Sequence, residues 1–252
     1  RLDVPDSNLS LRVLWWKAIF GNDRTSPCFD DGLAYDMLPS YVRVLVSKLF
    51  SSLYPRWTHV VIEIRTAYLD QAVRSIVENV RATGKQSKIR LVTMGCGYDI
   101  RSIKLANIVD EAIELDLPHV IAAKQNMLLR LQKRRPTATL PILYATDLQK
   151  LDDELESLLQ GILGRDKDWH TILLFEGVLM YLNDGIPMQL LQVCHKSVGR
   201  NPASLCFAAA VIQNNNDDFE FAKEELAKVG WKLVDWLPKG GRTRHMGIAE
   251  TG

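Results

Sequence analysis

The stretch LVTMGCGYDIRSIKLANIVDEAIELD, residues 91–116, restricts the fold more than any other part of this 252-residue chain. An apolar run halts at two glycines, Gly95 and Gly97. A helix-capable segment follows, and a second apolar run ends on Asp116, 19 residues after Gly97. That order reads as strand, tight turn, helix and strand, with an acid placed where open α/β sheets hold ribose hydroxyls. The glycines permit a left-handed turn and a close approach of backbone to a ligand. A second stretch, LLFEGVLMYL at 173–182, reads as a further strand ending at Glu176. Together the two stretches point to a nucleoside-containing ligand in an α/β domain.

The spacing bears on which nucleoside. A dinucleotide fingerprint needs a third glycine for close helix–strand packing, and Ile100 stands there instead. A pyrophosphate on the helix N-terminus is correspondingly disfavoured. An adenosine without phosphate fits better, and S-adenosylmethionine is the obvious case. On the glycines alone, a turn in an ordinary α/β core stays open, as does an NAD site.

Length and composition set bounds. The chain is long enough for one large domain, or one domain with a cap. A net charge of +1 supplies no strong field toward nucleic acid or an anionic membrane. No apolar run approaches the ~18–20 residues that span a bilayer, and no secretory signal is visible. A cytoplasmic, monomeric protein is expected. Because the sequence begins at Arg1 rather than Met, we also expect a trimmed chain, with any targeting segment cut away. Cys28, Cys96, Cys194 and Cys206 lack CxxC spacing and a histidine at ligand spacing, so they read as buried free thiols and no metal site is expected.

Periodicity supplies a coarse map. Residues 8–20 read helical, with Ser10 as N-cap. Residues 31–54 carry a helical apolar stripe that Pro39 divides. The segment HVVIEI at 59–64 is a strand by propensity. Strands are expected at 90–94, 112–115, 139–144, 171–175, 204–211, 232–236 and 244–249. Helices are expected between most of them, including 148–159, 186–198 and 219–229, with Pro118 opening another. Residues 238–241 suit a hairpin link, and 214–218 read as a polar loop.

At this point the motifs resemble one family. GCGYDIRS, IELDLPHVIAAK, TDLQ and LLFEGVLMYL follow one another in the order seen in the leucine carboxyl methyltransferase family. RTAYLDQAV resembles the family's arginine-bearing helix before the first strand, and GWKLVDWLPKGGRTRHMGIAE its last two strands. The likeness is tightest over about 65–185 and looser in the first 60 residues. It implies a class I methyltransferase: a Rossmann-like, seven-stranded, mostly parallel sheet with helices on both faces and an N-terminal helical cap. It divides the chain into a cap or substrate region, 1–60, and an S-adenosylmethionine-binding domain, 61–252, and it makes 59–80 helical. It implies an O-methyltransferase acting on a carboxylate, as on the C-terminal leucine of a phosphatase subunit. Relatives instead methylate small hydroxylated or polyketide-like metabolites.

Each cofactor residue implied by the resemblance has a chemical reason. Arg65 offers a fork that suits the methionine carboxylate. Gly95 and Gly97 let backbone approach, and Asp116 accepts from the ribose, with Glu114 on the same strand face as its rival. Asp147 and Leu148 meet the adenine; the competing reading of Asp147 is an N-cap on the 148–159 helix, and the two roles are compatible. Glu176 binds the methionine amino group. A carboxylate acceptor is already ionised at neutral pH and needs no base, whereas a hydroxyl wants one. Tyr181 and His195 are the acceptor-side candidates. Trp15, Trp16, Lys17 and Phe20 are candidates to cap the pocket, and Arg242 or Arg244 to meet an anionic acceptor.

Overall fold

The computed structural model describes residues 6–45, 59–83, 87–165, 168–210, 219–237 and 245–252. One sheet contains β1 (Lys88–Met94), β2 (Glu111–Asp116), β3 (Ile142–Ala145), β4 (Trp169–Glu176), β5 (Ala203–Ala210), β6 (Trp231–Leu237) and β7 (His245–Thr251). Their order is β3-β2-β1-β4-β5-β7-β6, and β7 runs antiparallel to both of its neighbours while the pairings from β3 through β5 are parallel. The expected mostly parallel, seven-stranded sheet is therefore what forms. β1 and β4 sit at its centre, and their near-continuous apolar runs are buried, as parallel strands covered on both faces require.

The helices are α1 (Asp6–Gly21), α2 (Leu33–Met37), α3 (Ser40–Leu45), α4 (Val60–Ala82), α5 (Arg101–Lys104), α6 (Pro118–Arg134), α7 (Asp153–Leu163), α8 (Ile186–Val198) and α9 (Phe219–Lys228). On one face α4 lays Leu69, Val73 and Val77 over Leu91, Ile172 and Leu174. On the other, α7, α8 and α9 cover Val92, Phe175, Leu205 and Phe207. Each such fully buried side chain contributes about 1.5–3 kcal/mol. α1 to α3 share a third core with α6 and with Tyr98, Ile100 and Ile103 beyond the glycine turn. Among the described residues no helix is long and apolar enough to cross a membrane.

Local expectations failed in identifiable places. α1 begins at Asp6, so Ser10 lies inside the helix and caps nothing. β3 starts at Ile142 rather than 139, where Pro141 has no N–H to give a ladder. α7 starts at Asp153, and its N-cap is Asp152, whose Oδ1 accepts from Leu155 N–H at 3.0 Å. Asp147 therefore caps no helix. The segment 59–64 is helical despite its β-branched content, because Ile62 and Glu63 are held in the interior through tertiary contacts. The hairpin link, the 214–218 loop, Arg242 and Arg244 lie outside the described residues, as does the stripe beyond residue 45.

Candidate cofactor-binding site

Strand order fixes where a ligand can sit. The chain leaves β1 toward β2 and β3, then crosses to β4 on the other side of β1. The crevice at that switch point opens at the carboxyl ends of the strands. Met94 pairs with both Leu115 and Phe175, so Gly95, Asp116 and Glu176 leave the sheet at one edge.

The turn needs its glycines. Gly95 and Gly97 adopt φ of 64° and 48°, a region costly for side-chain-bearing residues. A Cβ on Gly95 would lie 2.4 Å from Val178 Cγ2, and one on Gly97 3.1 Å from Ser10 Oγ, so α1 rests against the loop. Gly97 N–H donates to Asp116 Oδ2 at 2.6 Å and Leu117 N–H to Oδ1 at 2.7 Å, fixing the carboxylate at the crevice. Glu114 is fully buried, with Ser102 Oγ donating at 2.5 Å and Lys124 Nζ ion-paired to its other oxygen at 2.6 Å. Of the two rival acids, only Asp116 reaches the edge. Thr146 N–H donates to the Asp116 carbonyl, which brings the next loop alongside. There Asp147 Oδ1 accepts from Gln149 N–H at 3.0 Å to close a turn, and Leu148 is buried in the core.

Glu176 lies in a buried charge cluster. Lys17 Nζ is 2.9 Å and Arg101 Nη1 2.5 Å from its Oε2, and Arg65 Nη2 is 3.5 Å from its Oε1. Lys17 also faces Asp99 at 3.4 Å, Arg101 meets Asp99 and Asp70, and Lys104 pairs with Asp70 at 2.6 Å. Four cations thus surround three carboxylates. Burial pushes the Glu176 carboxyl up, but Arg101, Lys17 and Arg65 outweigh it and hold the group down at about 2. Burial likewise opposes ionisation of Asp99, and Arg101, Lys17 and Lys124 again prevail, keeping it far below the usual range. Cys96, inside the turn, is buried, and burial pushes its thiol well above the ordinary value. It is a small residue in a tight place rather than a reactive one.

Arg101, Asp99, Asp70 and Lys104 escaped the sequence reading, and Lys17 entered it only as a pocket-capping residue. Their signal was present: charges set inside apolar segments, as in YDIRS and WWKAIF. Phe20 is buried beside His59 and lines one pocket with Lys17, Asp99 and Arg101, and Trp16 lies under Arg12. Tyr181 is 46% exposed on the turn after β4. His195 lies near the end of α8, which returns toward the amino ends of the strands, and packs edge-on against Trp231 at 5.6 Å. It is not brought to Glu176.

Three buried polar atoms of the cluster, Arg65 Nε, Arg101 Nη2 and Glu176 Oε1, have no hydrogen-bond partner among the described residues. Such atoms cost about 1–3 kcal/mol each. A ligand bearing both a carboxylate and an ammonium would satisfy that donor and acceptor set, and the methionine end of S-adenosylmethionine has both.

The sheet order, glycine turn, edge acid and switch-point crevice define a class I methyltransferase. The family model for leucine carboxyl methyltransferase matches residues 10–194, and the chain belongs to that family. It is an S-adenosylmethionine-dependent methyltransferase. No curated protein matches the chain. Among solved structures, magnesium protoporphyrin IX methyltransferase (ChlM) from Synechocystis PCC 6803 with bound SAM is similar at a TM-score of 0.51 and 16% identity, over 99% of this chain and 98% of that one. The same enzyme with bound SAH gives 0.50 and 16%, over 78% and 87%. At this identity the likeness is one of fold.

Proposed function

We propose that this enzyme methylates a carboxylate, of the kind at a C-terminal leucine, by direct in-line transfer. The observation behind this reading is that every carboxylate around Glu176 is already committed. Glu176, Asp99 and Asp70 are ion-paired to Lys17, Arg65, Arg101 and Lys104. With its carboxyl held at about 2, Glu176 cannot take a proton from an acceptor at neutral pH. Such a site suits a nucleophile that arrives ionised.

In this reading Arg65 pairs with the cofactor's carboxylate and Glu176 with its amino group. Asp116 accepts from the ribose, and Asp147 and Leu148 meet the adenine. When bound, S-adenosylmethionine supplies a methyl group on a sulfonium. The protein orients the acceptor oxygen and excludes water; α1, resting on the glycine loop, supplies part of that cover.

The test is transfer of labelled methyl to three acceptors: a peptide with a free C-terminal leucine, the same peptide amidated, and a panel of phenols. Label on the free peptide alone, released by mild base as expected for an ester, supports the reading. Label on phenols and not on the peptide assigns the enzyme to small hydroxylated or polyketide-like metabolites.

A further inference from the structure

Arg101 opens α5, and its side chain is 1% exposed. Its guanidinium joins three carboxylates from three separate parts of the chain. Nε is 2.7 Å from Asp70 Oδ1 on α4, Nη1 contacts Asp99 Oδ2 in the glycine turn, and Nη1 is 2.5 Å from Glu176 Oε2 at the end of β4. A planar fork can hold several oxygens at fixed angles, which a lysine ammonium cannot. Asp99 in turn accepts from the N–H groups of Ile100 and Arg101, so the turn's own backbone is tied into the cluster.

We infer that Arg101 is a positioning residue of the cofactor site: it fixes the Glu176 carboxylate by locking it to Asp70 of α4 and Asp99 of the glycine turn. The inference rests on the reading of Glu176 as the partner of the cofactor's amino group. Glu176 is faced by Lys17 from α1, Arg65 from α4, Arg101 from α5 and Asp99 from the turn. Arg101 is faced by Asp99, Glu176 and Asp70, with Lys104 sharing Asp70, Lys17 and Lys124 acting on Asp99, and the Cys206 thiol of β5 nearby. Without Arg101, the mutual repulsion of Asp99 and Glu176 loses its chief opponent. Lys17 and Arg65 then oppose burial and Asp99 by themselves, and the Glu176 carboxyl moves up past the ordinary carboxylate range toward neutrality.

Calorimetric binding of S-adenosylhomocysteine to wild type, R101K, R101M, E176Q and E176Q/R101M between pH 5.5 and 8.5 tests this, with melting curves to check folding. E176Q is expected to weaken binding at least tenfold at every pH. R101M is expected to weaken it at least tenfold near pH 6 and to recover severalfold toward pH 8, as Glu176 ionises. R101K should fall between R101M and wild type, with the same slope. The double variant should bind within about threefold of E176Q, because Arg101 acts through Glu176. E176Q binding like wild type would overturn both the Glu176 reading and the inference built on it. E176Q weakened while R101M adds its full loss to it, with no pH slope, would overturn the role of Arg101 alone. If R101M fails to fold, the pH slope of R101K decides, and a flat profile counts against the inference.

Discussion

Replacing Lys124 with Met should destabilise the fold far more than any surface change. Lys124 and Glu114 are both fully buried and form an ion pair 2.6 Å apart. Ser102 Oγ donates to the other Glu114 oxygen at 2.5 Å. Burial pushes the Glu114 carboxyl up, and Lys124 is the first influence that pulls it back. Methionine keeps an unbranched apolar stem of similar length, so the perturbation is chiefly electrostatic. Breaking one side of a buried pair costs about 3–5 kcal/mol, a large share of the ~5–15 kcal/mol that holds a domain folded. At about 2–4 °C per kcal/mol for a chain of this size, Tm should fall by roughly 6–20 °C. The sign of the pH dependence follows. A carboxyl with a folded pKa above its unfolded one favours the fold below the unfolded value and loses that contribution as pH rises through the folded value. With Lys124 gone the Glu114 carboxyl stands higher still, so K124M should lose less at pH 5 than at pH 8. E114Q/K124M removes both charges and should regain much of the loss. Thermal unfolding followed by circular dichroism reads all three. A K124M shift under 2 °C at pH 8, or a double variant as unstable as the single, would refute the reasoning.

Gly95→Ala forces a side chain into a left-handed backbone and against Val178 Cγ2 at 2.4 Å. About 1–2 kcal/mol of backbone strain and about 1–3 of overpacking should lower S-adenosylhomocysteine affinity tenfold or more by calorimetry, and unchanged affinity would show that the turn yields freely. Asp30, buried and accepting from Gly32 and Ala34 N–H groups, has its carboxyl pushed up by burial to about 6 from 3.8, so its contribution is present below about pH 4 and is lost as pH rises through 6. D30N does not titrate, so its stability relative to wild type should climb by about 1.4 kcal/mol per pH unit across that window and level off above it, as denaturant titrations at pH 4, 5, 6 and 7 would report.

Much of the fold was readable because the signals for it are local. β1 and β4 carry apolar residues on both faces, Leu91 and Val92 in one and Ile172 to Phe175 in the other, which marks central parallel strands. Two left-handed positions on either side of Cys96 demanded two glycines, and those announced the turn. Boundaries slipped where a single residue overrode the pattern. Pro141 delayed β3, and Asp152 rather than Asp147 offered its oxygen at the right offset to cap α7. The 59–64 segment inverted its own propensity because its place was set by packing of the whole α4 helix onto β1 and β4.

The site was less readable, since it is assembled from positions that no periodicity connects. Lys17 and Glu176 are 159 residues apart, and Arg101 and Glu176 75. Each residue, viewed locally, is an ordinary charge on a helix or at a strand end. Only the switch point between β1 and β4, with α1 and α4 laid alongside, gathers them. The same logic explains why Glu114 and Asp116 looked interchangeable. They share one face of one strand, and local spacing says nothing about depth. The decision comes from Lys124, which α6 carries back across the sheet to Glu114, and from Gly97 N–H, which the turn delivers to Asp116. One carboxylate is consumed by the core and the other is held at the crevice, so a residue's availability for chemistry here depends on which distant donor reaches it first.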